Sequence, residues 1–195
     1  MMKYCTKCCM PSTRPGITFD ERGVCSACRS YEHRAAVDWD ARWKEFSEWA
    51  DKGQVMLAKL VALVDEDTAA FNRIMAALGM PKGSDEEKKA RAEALEAATL
   101  YATEVPLKTM KAAAEVFPLV RAMAAEGNPN SVSDAGVGAL AARSAVLGAQ
   151  LNVRINAAGL ADRSAADRLC AEAAEIAAMA IAEEASVLDI VNGKI

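Results

Sequence analysis

Four cysteines near the start of the chain are spaced for metal chemistry: Cys5-x2-Cys8 is followed, after sixteen intervening residues, by Cys25-x2-Cys28. Two such knuckles present four thiolates as a tetrahedron of the kind zinc prefers, with zinc–sulfur distances of about 2.3 Å, and the ion replaces the core that so short a segment cannot build. Four sulfurs close the site to water, so its role is structural. Cys5, Cys8, Cys25 and Cys28 are therefore the candidate ligands, with redox-active thiols as the alternative use of the same residues. Cys9 is a spare thiol, and His33, the only histidine, could replace one sulfur. Cys170 stands far away on the apolar side of a helix and reads as a small core residue.

A second constellation carries carboxylates and amides. Asp65, Thr68 or Ala69, and Asn72 share one helical face by i, i+3/i+4, i+7 spacing, so an acid and an amide can point together at a ligand. Asn128, Asn130 and Asp134 surround a helix start, where free N–H groups and the positive dipole end favour an anion. Asn152 and Asn156 share another face, with Arg154 about 200° away at 100° per residue. A paired carboxylate can take and return a proton or stabilise a developing cation. The same residues also admit plain roles: Asp65 and Asp67 as surface acids, Ser133 and Asp134 as a cap, Asn152 and Asn156 as hydrogen bonders within a bundle.

The elements that must position these groups follow from composition. In 195 residues, 52% are hydrophobic but only 5% aromatic, and alanine fills the gap at about a fifth of the chain. Alanine is the best helix former, so the composition is helical. A formal net charge of −4 argues against an electrostatic nucleic-acid or membrane-surface binder. No secretory leader precedes the cysteines and no apolar run approaches a bilayer span, which makes a reducing, cytoplasmic setting the default and metal binding the expected use of clustered thiols.

Residues 1–50 carry 8 Lys+Arg and 7 Asp+Glu, against 15 and 20 in the remainder. This asymmetry, with all the tryptophans in the head, divides the chain into a module over residues 1–50 and a bundle over residues 55–195. The polar stretch around Gly53 marks the join. Residues 3–30 read as loops and knuckles, with a short strand at Ile17–Phe19 and a turn over Glu21–Gly23. A short helix runs from Asp38, its N-cap, to Trp49, with Trp39, Trp43 and Phe46 on one face that needs covering.

In the bundle, Leu57, Val61, Val64, Thr68, Phe71, Met75 and Leu78 form a heptad-like seam that stops at Gly79. Ser84 and Glu87 form a capping box for the next helix. Pro106 predicts a kink or a fresh start, with a second segment to Ala125, a bend at Pro118 and closure at Gly127. A turn over residues 128–134 leads into a helix rich in small residues, capped by Ser131 or Ser133, that permits close helix approach. A last helix from Asp162 or Ser164 to Val191 completes an all-α antiparallel bundle with a small N-terminal zinc-knuckle module.

Two resemblances follow from the motifs. Residues 2–49, with Lys3–Cys8, Met10-Pro11, Thr13–Asp20, Gly23–Cys28 and Asp38-Trp39, resemble the N-terminal zinc module of bacterial N-acetyl sugar amidotransferases. That family's phosphate loop, Ser-Gly-Gly-x-Asp-Ser, is absent from this sequence, so the likeness carries the zinc and not the adenylating reaction. Residues 57–192, with Leu63–Asn72, Ala102–Leu107, Gly127–Val137 and Leu151–Asn156, resemble the formimidoyltetrahydrofolate cyclodeaminase and methenyltetrahydrofolate cyclohydrolase family. That family normally opens with a Pro-Gly-Gly-Gly-Ser-type loop. Here the zinc module occupies its place, so the sequence reads as a fusion across residues 50–56.

The second resemblance implies a homodimeric folate enzyme with its cleft at the interface, and a tetrahydrofolate derivative as substrate. It would close 5-formimidoyltetrahydrofolate with loss of ammonia or hydrolyse the 5,10-methenyl form. In that frame Asp134 and Asp65 are the catalytic candidates. Asn130 and Asn156 would read the pterin, Lys82 or Arg154 would hold the glutamate tail, and Asn128, Ser133 and Asn152 complete the binding set. The rival expectation is a catalytically silent, zinc-stapled oligomerisation or scaffold module. A weaker one is an accessory zinc module for N-acetyl sugar amidotransfer with a separate ATPase.

Overall fold

The structure, a computed structural model, describes residues 2–35 and 37–195. It contains helices α1 (Ser26–Ala35), α2 (Trp39–Leu78), α3 (Asp85–Ala114), α4 (Phe117–Glu126), α5 (Val132–Ala157) and α6 (Arg163–Asn192), with a 3-10 turn over Pro129–Ser131 before α5. The chain divides into two compact units at Glu48 and Trp49. Among the described residues no helix is long and apolar enough to cross a membrane.

The first unit is built around its turns. Isolated antiparallel bridges join Tyr4 to Pro11 and Phe19 to Cys25. The predicted strand at Ile17–Phe19 is thus reduced to a single bridge. Its turn is organised by Asp20, whose carboxylate accepts from the backbone N–H groups of Val24 at 2.8 Å and Arg22 at 3.0 Å. The Val24 bond first, then the Arg22 guanidinium, hold this acid below the usual carboxylate range despite partial burial. Gly23 turns back with φ +74, and a Cβ there would stand 3.0 Å from the Thr6 methyl, so the two knuckles meet where only glycine fits. One departure from expectation is α1, which begins directly after Cys25 in a segment read as loop.

α2 corrects a second expectation. Asp38 caps it, its carboxylate accepting from Ala41 N–H at 2.9 Å, but the helix does not stop at Trp49. It continues through Gly53 to Leu78 over 40 residues. A polar segment with one glycine costs a helix only about 1 kcal/mol, which neighbouring turns offset.

In the second unit α5 is the central helix, packed by α3, α4 and α6. It buries Ala135, Ala139, Ala142, Val146, Ala149, Val153 and Ala157, a stripe recurring every three or four residues. Small side chains bring the helix axes close: at Gly138 a Cβ would meet Val120 at 3.0 Å. Phe117, Met110, Val105, Val146, Val153 and Val187 are the largest fully enclosed apolar side chains. Thr103, buried among them, satisfies its hydroxyl by donating to the Thr99 carbonyl at 2.8 Å.

Several punctuation signals act as the sequence predicts. Ser84 and Glu87 form a reciprocal capping box on α3, Gly127 closes α4, and Asp162 caps α6. Ser131 occupies the cap position of α5 without a side-chain bond. Pro106, however, does not start a new helix. It sits inside α3, and the break falls at Glu115–Val116, with Pro118 in the first turn of α4.

The burial of α2 inverts the predicted seam. Leu63, Ala70 and Ala77 face inward, Leu63 and Ala70 packing with Leu60 and Ile74 against Tyr101, Ala102, Val105 and Ala112 of α3. The larger stripe faces outward, with Val64 64% and Phe71 60% exposed. The alanine-rich surface of α3 accepts the smaller face of α2, so side-chain size, not apolarity alone, decides which face is covered.

Candidate functional site

The thiols of Cys5, Cys8, Cys25 and Cys28 converge. All four sulfurs lie within 4.8 Å of one another, with Cys5 Sγ to Cys28 Sγ at 3.9 Å and Cys8 Sγ to Cys25 Sγ at 3.6 Å. A tetrahedron with metal–sulfur bonds of about 2.3 Å has edges of about 3.8 Å, so the set has the size such an ion needs. Backbone N–H groups point at the sulfurs: Cys25 N–H and Lys7 N–H approach Cys5 Sγ at 3.2 and 3.4 Å, and Cys28 N–H approaches Cys25 Sγ at 3.5 Å. Each donor favours thiolate over thiol.

The protons of this cluster are unevenly held. Burial pushes the Cys5 thiol up, but donors from Cys25, Cys8 and Lys7 outweigh it and bring the group down to about 6. Cys28 is pushed up to about 12, chiefly by its contact with the Cys8 thiol and then by burial. One sulfur ionises readily while its neighbour keeps its proton. A central cation is what would allow all four to ionise together. Cys9, with φ 59, and the exposed His33 are not members of this group.

The folate-site candidates lie on separate parts of the second unit. Asp65 and Asn72 are exposed on α2, and Lys82 is exposed in the α2–α3 loop. Asn128 caps the 3-10 turn, its Oδ1 accepting from Asn130 N–H at 3.0 Å. Asn130, Ser133 and Asp134 are exposed beside it, Asp134 in the first turn of α5. Asn152 and Arg154 are exposed near the other end of that helix. Asp134 and Asn156 stand twenty-two positions apart on α5, about 33 Å at 1.5 Å per residue. One chain therefore gathers Asn128, Asn130, Ser133 and Asp134 at one end and Asn152, Arg154 and Asn156 at the other. Asn156 is already engaged: its Nδ2 donates to the Ala102 carbonyl of α3 at 2.7 Å.

Arg154 lines a groove of about 370 Å³ between α5 and α6, with Gln150, Arg163 and Cys170. Arg163 is fixed there by donating to the Ala157 and Leu160 carbonyls at 3.2 and 3.3 Å. Cys170 packs partly against the core, as its position in the sequence suggests.

The most organised polar cluster was not among the sequence candidates. Glu66 accepts from Tyr101 Oη at 2.9 Å and from Lys108 Nζ at 2.5 Å, while the Arg73 guanidinium lies 4.0 Å from the centre of the Tyr101 ring. Lys108, then Tyr101, hold Glu66 below its usual range, and Glu66 in turn raises both partners. The available signal was periodic: Glu66 and Arg73 are seven apart on α2, and Tyr101 and Lys108 are seven apart on α3. Each pair returns to the same face after two turns.

An all-helical unit of this build defines the class of the chain: the formiminotransferase-cyclodeaminase family profile matches residues 29–175, and the chain belongs to that family. The match begins inside α1, ahead of the segment in which the sequence motifs lie. A methenyltetrahydrofolate cyclohydrolase of Methylorubrum extorquens is 37% identical over 145 residues, covering 74% of this chain and 70% of that protein. The formimidoyltransferase-cyclodeaminase of Mus musculus is 37% identical over 105 residues, 54% of this chain but 19% of that longer protein. The fold is shared with a formiminotetrahydrofolate cyclodeaminase structure from Thermotoga maritima, with TM-score 0.67 and 22% identity over 77% of this chain and 71% of that one.

Proposed function

We propose that the chain acts on a tetrahydrofolate bearing a one-carbon unit, either hydrolysing the 5,10-methenyl bridge or closing the 5-formimidoyl group onto the second nitrogen with release of ammonia. The observation that carries this reading is the 37% identity to a methenyltetrahydrofolate cyclohydrolase over 70% of its length. In hydrolysis, the water oxygen bonds to the cationic bridge carbon and its proton passes to a carboxylate. That carboxylate then returns the proton to the nitrogen whose bond to carbon breaks, while the remaining hydroxyl proton is released to solvent, leaving a formyl group on the other nitrogen. Asp134 and Asp65 are the proposed carboxylates. Asn128, Asn130, Ser133, Asn152 and Asn156 are the proposed polar contacts, with Arg154 or Lys82 for the glutamate tail.

Two copies suit this reading better than one. Asp134 and Asn156 are about 33 Å apart in a single chain, and the outward face of α2 from Leu57 to Leu78 is large, apolar and exposed. A homodimer would cover that face and set one copy's residues beside the other's. In the first unit, Cys5, Cys8, Cys25 and Cys28 would hold zinc. With four sulfurs and no open position, the ion would fix the two knuckles and supply no chemistry to the folate.

Ultraviolet absorbance of the methenyl bridge tests the activity directly. Loss of the chromophore from 5,10-methenyltetrahydrofolate marks the cyclohydrolase, and its appearance from the 5-formimidoyl compound marks the cyclodeaminase. Asp134→Asn should slow the reaction by about 100-fold or more. Wild-type protein no faster than buffer on both compounds overturns the enzyme reading in favour of a silent scaffold.

A further inference from the structure

Between the second half of α2 and the first half of α3 lies an open furrow of about 370 Å³, lined by Arg73, Met80 and the alanines at 76, 77, 97 and 98 among others. Its volume is within the range of small-ligand sites, and its lining includes no acidic side chain. Alanine methyls make a shallow, flat floor that admits the face of a ring. At one end of the furrow stands Arg73. Among the described residues this guanidinium has no carboxylate partner. The nearby Glu66 feels its charge, but its Oε1 accepts from both Lys108 and Tyr101 and it forms no ion pair with Arg73. Arg73 is held against the Tyr101 ring at 4.0 Å, and that ring is itself fixed by the bond from its hydroxyl to Glu66. A stacked guanidinium keeps its N–H donors free at its edge.

We infer that this furrow is a binding site for an aromatic amide carrying a carboxylate, with the ring on the alanine floor and the carboxylate on Arg73. Resting on the folate reading above, it assigns the furrow to the aminobenzoyl-glutamate portion of the substrate, with Arg73 taking one of the two glutamate carboxylates and Lys82, two residues beyond Met80, left for the other. Tyr101 acts as a positioning residue, since it immobilises the cation before the ligand arrives and lowers the ordering cost of binding. Glu66 and Lys108 serve the same end by fixing the ring.

Calorimetric titration of the full chain with two probes tests the assignment: 5-formyltetrahydrofolate, which carries the glutamate, and the corresponding 5-formyltetrahydropteroyl amide, in which an uncharged NH2 replaces the glutamate and no carboxylate remains. Arg73→Ala should weaken 5-formyltetrahydrofolate by about tenfold or more, the loss of one charge-assisted contact, and leave the neutral amide within about twofold. Arg73→Lys should restore part of the affinity. Tyr101→Phe, which keeps the ring, should weaken 5-formyltetrahydrofolate less than Tyr101→Ala. Equal affinity of wild type and Arg73→Ala for 5-formyltetrahydrofolate overturns the furrow assignment and leaves the folate reading standing. So does an equal loss for both probes, which would mean that the carboxylate is not what Arg73 holds. Wild-type protein that binds neither probe overturns the folate reading itself, and this assignment with it.

Discussion

Asn156 supplies to the backbone of α3 the hydrogen bond that Pro106 removes. The Ala102 carbonyl lies four residues before the proline and so has no N–H to accept from within its own helix. The Asn156 side chain donates to it from α5 at 2.7 Å. A residue that breaks helices is thereby accommodated inside one, and the repair ties α3 to α5.

The pairing predicts a non-additive pair of substitutions. Asn156→Ala leaves a part-buried carbonyl unsatisfied and should cost about 1–3 kcal/mol in urea denaturation. With Pro106→Ala in the same chain, a backbone N–H returns to the Ala102 carbonyl and most of that loss should disappear. Equal losses in both backgrounds would show that the bond contributes nothing to the fold.

The first unit should carry about one zinc per chain by metal analysis, and Cys25→Ser should abolish it. Cys25 is fully buried at the meeting point of the knuckles, its N–H bonded to Cys5 Sγ. Cys9→Ser should leave the zinc content unchanged, because Cys9 lies outside the four-sulfur group. Protein with little metal, or with metal indifferent to Cys25→Ser, would refute the four-thiolate site.

The Glu66–Lys108 pair sets a pH window for the contact between α2 and α3. Lys108 and Tyr101 depress the Glu66 carboxyl below its ordinary value of 4.5, so its stabilisation is present above that value and is lost as pH falls further. Lys108 is raised above 10.5, chiefly by Glu66, so its share is intact below 10.5 and is lost at more alkaline pH. With Lys108 49% and Glu66 29% exposed at the side chain, the net effect is small, under about 1 kcal/mol. Glu66→Gln should flatten the acid limb of stability against pH while leaving the neutral plateau lower by that small amount.

The outward stripe of α2 gives a prediction for assembly. Phe71→Glu puts a charge in the middle of an exposed apolar face and should convert a two-chain species to a one-chain species in sedimentation, with helical content unchanged. Wild-type protein that sediments as a single chain at all concentrations would remove the dimer reading.

These features differ in how far the sequence foretells them, and the difference follows their range. The Ser84–Glu87 box, the Asp38 and Asp162 caps and the cysteine knuckles depend on residues a few positions apart, whose types nearly dictate the bond. The length of α2 is less legible, because Gly53 in a polar stretch has the composition of a join although the helical bonds continue through it. The facing of α2 is less legible still: two apolar stripes run side by side, and only the alanines of α3 determine that Leu63, Ala70 and Ala77 turn inward. Glu66, Tyr101 and Lys108 share no local motif, since a carboxylate on one helix and a phenol and an amine on another become a cluster only after packing. Asn156 shows the opposite case. Its amide has the chemistry of a ligand contact, and in the fold it completes a neighbouring backbone.

The alanine stripe of α5 gives the second unit an unusual mutational profile. In most cores the informative experiment is truncation, because a removed methyl group leaves a hole. Here Ala135, Ala139, Ala142 and Ala149 are already near the lower limit of side-chain size, so a truncation scan would pass over the helix and find little. Enlargement is the sensitive direction: at fully buried Ala139 even a few added carbons must push two helices apart, at a typical cost of about 1–3 kcal/mol. Tolerance along α5 should thus fall as residues grow, and the boundary between accepted and rejected sizes would trace how closely its neighbours approach.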